Sequence, residues 1–143
     1  MTPITYSIII ERSQADVFNF VTDFRNDDKW WKPVEHTEKI TEGDMQVGSE
    51  FLQHAKVMFI KVQNHLKVTA WHPVDYVEYV NESNQLPYSL RYEFETVDKG
   101  TKFTLSAELE MKGLLRLLKP FTMRSLDRQL ETYFGVLKRH LEQ

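Results

Sequence analysis

The C-terminal segment from Gly113 to Gln143 carries the pattern that most constrains the fold. After a short apolar piece at 114–118 and the dipeptide Lys119-Pro120, apolar side chains recur at spacings of three and four: Leu126, Leu130, Tyr133, Phe134, Leu137 and Leu141. This spacing places an apolar stripe along an α-helix. We therefore predict a long C-terminal helix with Pro120 in its first turn, where a missing N–H costs nothing. A kink at Pro120 inside a longer helix is the alternative.

Most of the chain before this segment alternates between apolar and polar residues, as half-buried β-strands do. A hairpin is predicted at 88–97 and 101–111, with Gly100 in its turn, where glycine adopts a positive φ without steric cost. A long strand is predicted at 60–71, ended by Pro73. Further strands are predicted at 2–11, 36–41, 49–59 and 75–81.

Two short helices are predicted after the first strand. Ser13 has the form of an N-cap, with Asp16 three residues later, and a further helical turn falls in 24–31. Since a sheet with one apolar face needs a cover, we predict a single α+β domain over residues 1–143. In it, a curved antiparallel sheet of about six or seven strands grips the C-terminal helix and leaves room for a small apolar molecule.

Composition excludes several classes of function. The chain has no cysteine, which removes disulfides and thiolate chemistry. Its net charge of −3 argues against binding to nucleic acid, which needs a concentrated basic surface. The first residues lack a basic segment followed by an apolar one, and no apolar run approaches the roughly 18 residues of a membrane span. We therefore expect a cytoplasmic protein without stable membrane insertion.

One basic stretch departs from the acidic character of the chain. Residues 112–128 contain five basic side chains and one acidic one, among several leucines. A basic amphipathic stretch can make a transient contact with an anionic membrane. The alternative is an ordinary helix start whose leucines pack on the sheet while the cations stay solvated.

The order of several short motifs resembles a known family. The run from Ile10 to Phe18, then Phe20-Val21-Thr22-Asp23 and Lys29-Trp30, is similar to the opening of the START-like (SRPBCC) helix-grip superfamily, which includes Bet v 1-like folds. Gly48, Pro73, the Gly100-Thr101 hairpin and the closing residues 137–142 follow in the same order. The nearest branch by these motifs is that of the polyketide cyclase/dehydrase-type proteins.

The resemblance implies a cavity between the sheet and the long helix, which in this superfamily takes lipids, sterols, polyketides, plant hormones or quinones. Some members are cyclases or hydrolases, but no catalytic motif is common to all of them. We therefore assign no catalytic residue from the resemblance. The chain also lacks the cysteine- and histidine-rich pattern of the Rieske-type oxygenase branch.

Seven residues are candidates for lining the cavity. Gln53 and Asn64 occupy apparently inward positions, where they either orient a ligand oxygen or bond to each other, to the backbone or to buried water. Aromatic side chains can contribute hydroxyl groups or cap the entrance, although filling the core is their ordinary role. These aromatic candidates are Trp30, Trp31, Tyr79, Tyr92 and Tyr133.

The titratable residues do not form a recognisable catalytic or metal motif. No histidine has the spacing of a helical metal site, so we expect no metal and no cofactor. His54 and His65 lie on strands predicted to be adjacent, and the alternation points both outward. Asp23, Asp27 and Asp28 are interpreted as solvated charges at the end of a short helix.

Three functions follow from this interpretation. The first is binding or transport of a small hydrophobic molecule that is lipid-, polyketide- or aromatic-like. The second is a cyclase or dehydratase-type enzyme, which needs at least one buried group with a suitable pKa. The third is a non-catalytic interaction or stress-related module with a filled core. A monomer or a dimer is compatible with the exposed edges of the predicted sheet.

Overall fold

A computed structural model describes residues 2–57, 59–83, 87–110 and 119–143. Its elements in chain order are β1 (Thr2–Ile10), α1 (Gln14–Thr22), a 3₁₀ helix (Phe24–Lys29), β2 (Val34–Lys39), β3 (Glu50–Val57), β4 (Ile60–His72), β5 (Tyr76–Asn81), β6 (Tyr88–Val97), β7 (Gly100–Leu109) and α2 (Lys119–Glu142). The predictions for Met111 and for the apolar piece 114–118 concern residues outside the described ranges.

The strands form one antiparallel sheet in the order β1-β7-β6-β5-β4-β3-β2. The chain runs through neighbouring strands from β2 to β7, and β1 adds to the far edge beside β7. The hairpin of β6 and β7 pairs Val97 with Gly100 and Tyr88 with Leu109. One sheet, two short helices after β1 and a long C-terminal helix confirm the predicted architecture.

The segment between β1 and β2 begins as the sequence predicts. The Ser13 Oγ accepts a hydrogen bond of 3.2 Å from the Asp16 backbone N–H and caps α1. Helix α1 ends at Thr22, and the Asp23 side chain then caps the 3₁₀ helix by accepting from the Arg25 N–H. This second helix places Asp27 and the two tryptophans against the concave face of the sheet.

Helix α2 packs its C-terminal half against a cluster of aromatic rings. Phe134 stacks on Phe103 with 5.1 Å between ring centroids, and Phe103 stacks on Phe94 at the same distance. Polar contacts fix the same end of the helix: the Arg12 Nη1 donates to the Leu141 carbonyl at 2.5 Å, and the Lys138 Nζ donates to the Ile9 carbonyl at 2.8 Å. The helix is thus tied to the end of β1.

Two turns differ in how they use a positive φ. Gly100 has a φ of +145°, and a Cβ added there would lie 2.2 Å from the Ile10 carbonyl oxygen, so this close approach requires glycine. In the turn between β3 and β4, the residue with positive φ is Phe59, at +70°. Its side chain is 92% exposed, so no packing compensates for this unfavourable conformation.

Candidate functional site

The concave face of the sheet and the N-terminal half of α2 enclose a cavity of about 580 Å³ that is partly open to solvent. This volume lies within the range of roughly 300–1,000 Å³ that small-molecule sites occupy. Most of the lining is apolar: Ile4, Val62, Leu90, Leu105, Ala107, Leu109, Leu126 and Leu130. The cavity can therefore take up a small hydrophobic molecule from water.

The wall formed by β3, β4 and β5 carries a line of polar side chains that ends at the 3₁₀ helix. The Asn81 Nδ2 donates to the Asn64 Oδ1 at 3.1 Å, and the Asn64 Nδ2 donates to the Gln53 Oε1 at 3.4 Å. The Gln53 Nε2 then donates to the Asp27 Oδ2 at 2.8 Å. We call these four residues the amide ladder. Each amide donates toward Asp27, so the ladder has one direction.

The orientation of the ladder is set at its far end. Two backbone N–H groups, those of His65 and Ser83, donate to the Asn81 Oδ1 at 3.1 and 3.0 Å. Because this oxygen faces two donors, the amide nitrogen of Asn81 must point toward Asn64. Each following amide is then oriented by the one before it, as in other chained hydrogen bonds.

Asp27 is the most unusual group in the wall. Its side chain is 2% exposed, and its Oδ1 has no hydrogen-bond partner among the described residues. Burial raises the pKa of Asp27 well above its ordinary value, and the hydrogen bond from Gln53 offsets only part of this effect. Burial therefore favours the protonated form of this carboxyl group.

The expectation that all three acids of this segment are solvated is wrong for Asp27. The neighbouring Asp28 is exposed, and Asp23 is half-buried beside Arg25. Within the 3₁₀ helix, the Asp27 backbone carbonyl accepts from the N–H groups of both Trp30 and Trp31, and its side chain turns inward. The sequence gives little signal for this, since three acids within six residues are typical of an exposed turn.

Two of the candidate tyrosines form a pair beside the ladder. The Tyr79 and Tyr92 hydroxyl oxygens lie 3.2 Å apart. Burial raises the pKa of both side chains well above the usual tyrosine value, and the charge of Asp27 acts in the same direction. Tyr79 lines the cavity, whereas Tyr92 lies behind it in the core. Both phenols therefore stay protonated over the physiological range.

The two tryptophans have different positions. Trp30 is 2% exposed and packs edge-on against Phe134 with 5.7 Å between centroids. Trp31 contacts Trp30 with its ring tilted and 4.5 Å between centroids, is half-buried and lines the cavity. One ring thus joins the helical segment to the core, and the other lies at the cavity wall.

Four of the seven predicted residues line the cavity: Trp31, Gln53, Asn64 and Tyr79. Trp30, Tyr92 and Tyr133 do not, although Tyr133 contacts Trp31 at 5.3 Å. Tyr133 instead borders a second, outer groove together with the cations Lys32, Arg124 and Arg128. A role in ligand binding stays a prediction for all seven. Among the polar and hydroxyl-bearing residues that line the cavity, the sequence interpretation missed three as candidates, namely Asp27, Asn81 and Tyr88.

The convex face of the sheet holds a separate polar cluster. The His65 Nε2 lies 2.9 Å from Glu50, and its Nδ1 lies 3.7 Å from Glu82. The two ring nitrogens of His65 face different carboxylates, so the histidine connects Glu50 and Glu82. A metal site would instead need one atom from each of the three side chains directed at a single ion. His54 pairs with Gln63 in the sheet, so it does not face His65.

Within the described ranges, no helix is long and apolar enough to cross a membrane.

Comparison with solved structures agrees with the fold of this chain. The chain resembles the protein TTHA0849 of Thermus thermophilus, with a TM-score of 0.82, 15% identity and coverage of 98% of this chain and 97% of the other. It also resembles a START superfamily protein of Mycobacterium smegmatis, with a TM-score of 0.79, 12% identity and coverage of 99% and 97%. These likenesses establish the α+β helix-grip fold.

A third similar structure is the di-domain ARO/CYC protein BexL from the BE-7585A biosynthetic pathway. Its TM-score is 0.76 at 13% identity, and the alignment covers 99% of this chain and 50% of the other. None of the curated proteins matches the sequence significantly. The family model described as polyketide cyclase / dehydrase and lipid transport matches residues 1–142. The chain therefore belongs to the polyketide cyclase / dehydrase and lipid transport family.

Proposed function

We propose that this protein binds a small hydrophobic molecule in the cavity between the sheet and α2. The observation that carries the proposal is the cavity, which has a volume of about 580 Å³, apolar walls and one polar end. The family description, which includes lipid transport, supports the same class of ligand. A lipid-, polyketide- or aromatic-like molecule would exchange water-exposed apolar surface for the apolar lining.

A neutral hydrophobic dye tests this proposal. N-phenyl-1-naphthylamine fluoresces more strongly in apolar surroundings, so titration of the protein should give a saturable increase. Ala107, which is 8% exposed, lies in the cavity wall on β7. An Ala107→Phe substitution fills part of the cavity, and we expect it to weaken dye binding at least about tenfold, or roughly 1.4 kcal/mol.

The adjacent residue offers a matched control. Glu108 is exposed on the opposite face of the same strand, so Glu108→Phe adds the same ring outside the cavity and should leave dye binding unchanged. If wild-type protein gives no saturable signal, the proposed function is wrong. If both phenylalanine variants weaken binding equally, the dye binds elsewhere.

Asp27 favours a second candidate, a cyclase or dehydratase-type enzyme. A general acid needs a proton available near the working pH and a position beside the substrate, and a carboxyl group in the cavity wall whose pKa is raised by burial supports such a role. An enzyme of this kind would lose turnover of a polyketide-like substrate in Asp27→Asn, whereas a carrier would show no turnover in either form. A filled-core module is disfavoured by the cavity.

A further inference from the structure

The polar end of the cavity has hydrogen-bonding capacity that the described residues leave unused. The Asp27 Oδ1 is buried and has no hydrogen-bond partner within the described ranges. The Asn64 Nδ2 has two N–H groups, and the amide ladder uses one of them, in a long bond of 3.4 Å. Asn64 is half-buried and lines the cavity, so a ligand reaches its amide directly. Buried polar groups without partners are unfavourable, and a suitable ligand would remove that cost.

The unused capacity at Asp27 is that of a hydrogen-bond donor. The Oδ2 accepts from Gln53, so a proton on the carboxyl group belongs on Oδ1, where no amide points. Burial raises the pKa of Asp27, which favours this protonated form. When the Asp27 carboxyl group is protonated, the direction of the amide ladder leaves its O–H group and one N–H group of Asn64 unused.

The charge of the lining restricts the ligand further. Among the described residues that line the cavity there is no lysine, arginine or histidine. A carboxylate or phosphate would therefore enter an apolar cavity without a counter-ion, which carries a large desolvation cost. An alkane would avoid that cost but would leave both donors unpaired, and sites built around a hydrogen bond reject analogues that lack the partner.

We infer, building on the proposed function, that Asp27 and Asn64 form a donor site that selects hydrophobic molecules carrying a neutral hydrogen-bond acceptor. A ketone, aldehyde or ester carbonyl oxygen has this chemistry. In the proposed complex this oxygen accepts hydrogen bonds from the Asn64 amide and the Asp27 carboxyl group. The rest of the molecule lies against the leucines of β6, β7 and α2.

Four probes with the same phenyl-butyl skeleton test the selectivity by competition with N-phenyl-1-naphthylamine. They are butyrophenone, butylbenzene, 4-phenylbutanoate and 4-phenylbutylamine. We expect butyrophenone to displace the dye from wild-type protein at a concentration at least about tenfold lower than either butylbenzene or 4-phenylbutanoate. The amine is included because it would bind best if Asp27 acted as an anionic counter-ion.

Substitutions separate the two donors from general effects on folding. Asp27→Leu and Asn64→Leu should each abolish the preference for butyrophenone over butylbenzene while dye binding persists. Asp27→Asn keeps an oxygen for Gln53 and supplies an N–H donor in place of the O–H, so the preference should be retained. Asp28→Leu, at the exposed acid next in sequence, is the matched control and should change nothing.

The pH dependence gives an independent readout. An ionised carboxylate cannot donate, so the affinity of wild-type protein for butyrophenone should fall as the pH rises through the pKa of Asp27, while that of Asp27→Asn stays level. The titratable groups acting on Asp27 or affected by its charge are Asp23, Asp28, Tyr79, Tyr88 and Tyr92. Burial raises the pKa of the three tyrosines, so they remain neutral over this range.

The outcomes distinguish this inference from the proposed function. If the dye binds but butyrophenone and butylbenzene compete equally, the cavity binds hydrophobic molecules without selecting an acceptor group. The inferred donor site is then wrong. If 4-phenylbutylamine competes most strongly and Asp27→Asn abolishes its advantage, Asp27 is a counter-ion and the inference is overturned. If the dye does not bind to wild-type protein at all, the proposed function fails first.

Discussion

The two ends of the space between the sheet and α2 are filled in opposite ways. At the end where β1 finishes, aromatic rings from α1, β6, β7 and α2 pack in contact: Phe18, Phe94, Phe103 and Phe134. At the end where β1 begins, Ile4, Ala107 and Leu130 surround an open cavity. The same strands and the same helix contribute to both ends. Stability and the proposed ligand binding are therefore located at different positions along shared elements, rather than in different elements.

The largest expected effect concerns the filled end. Phe103 is fully buried between Phe94 and Phe134, so Phe103→Ala should lower the free energy of unfolding by about 3–5 kcal/mol. Leu130 is also buried, but it lies at the edge of the core, where it borders the cavity. We expect Leu130→Ala to cost less, about 2 kcal/mol, at the low end for a buried leucine. Urea denaturation of both variants measures the difference. If the two variants lost equal free energy of unfolding, the cavity end would be as tightly packed in solution as the aromatic end, and the contrast between the two ends would be wrong.

An intermediate effect on the free energy of unfolding is expected at Asp27, because the open end of the space buries an ionisable carboxyl group there. Because burial raises the pKa of Asp27 above its unfolded value, the native state holds the proton more tightly than the unfolded state. The resulting stabilisation is fully present below the unfolded pKa and is lost as the pH rises through the folded pKa. Asp27→Asn stays neutral and escapes this loss. Above the folded pKa, the variant should exceed wild type by about 1–3 kcal/mol.

Urea denaturation at a series of pH values between acidic and mildly basic conditions measures this prediction. Asp28→Asn, which removes an exposed acid from the same 3₁₀ helix, should keep the pH dependence of wild type. If Asp27→Asn also runs parallel to wild type at every pH, Asp27 is solvated in solution.

The smallest effect is expected at the turn beside the cavity. Phe59 has a positive φ and precedes Ile60, which lines the cavity. A side chain in this conformation costs about 1–2 kcal/mol, whereas glycine avoids most of that cost. Phe59→Gly should raise the free energy of unfolding by up to about 1 kcal/mol. Phe59→Ala retains the Cβ and should give no comparable gain. An equal gain in both would assign the effect to the exposed ring instead.

Where the sequence carries both alternation and a turn signal, it predicts the structure closely. The strand predicted from Tyr88 to Val97 has those bounds in β6, because its alternating pattern ends at a turn that contains Gly100. The N-cap at Ser13 was similarly predictable from its spacing to Asp16. Local chemistry determines these features, so a single chain is sufficient to find them.

The polar end of the cavity depends on features that the sequence does not display. The turn between β3 and β4 has no glycine, proline or asparagine, so the pairing of Gln53 with Asn64 could not be derived from a turn. Asp27 belongs to a run of charged residues that predicts an exposed surface, and its burial depends on how the 3₁₀ helix meets the sheet. Its raised pKa follows from tertiary packing, as does the lack of a partner for its Oδ1 in the part of the chain that the structure describes.

The amide ladder also has a consequence for how the protein could change during evolution. Gln53 and Asn64 face the same side only in the present alignment of β3 with β4, and a slip of one residue would turn one of them to the outer face. The hydrogen bonds that shape the cavity therefore also penalise misaligned pairing near the edge of the sheet. Apolar replacements that adapt the cavity to a new ligand would also remove hydrogen bonds that favour the correct strand register. A new ligand specificity would therefore have to evolve together with other interactions that fix this register.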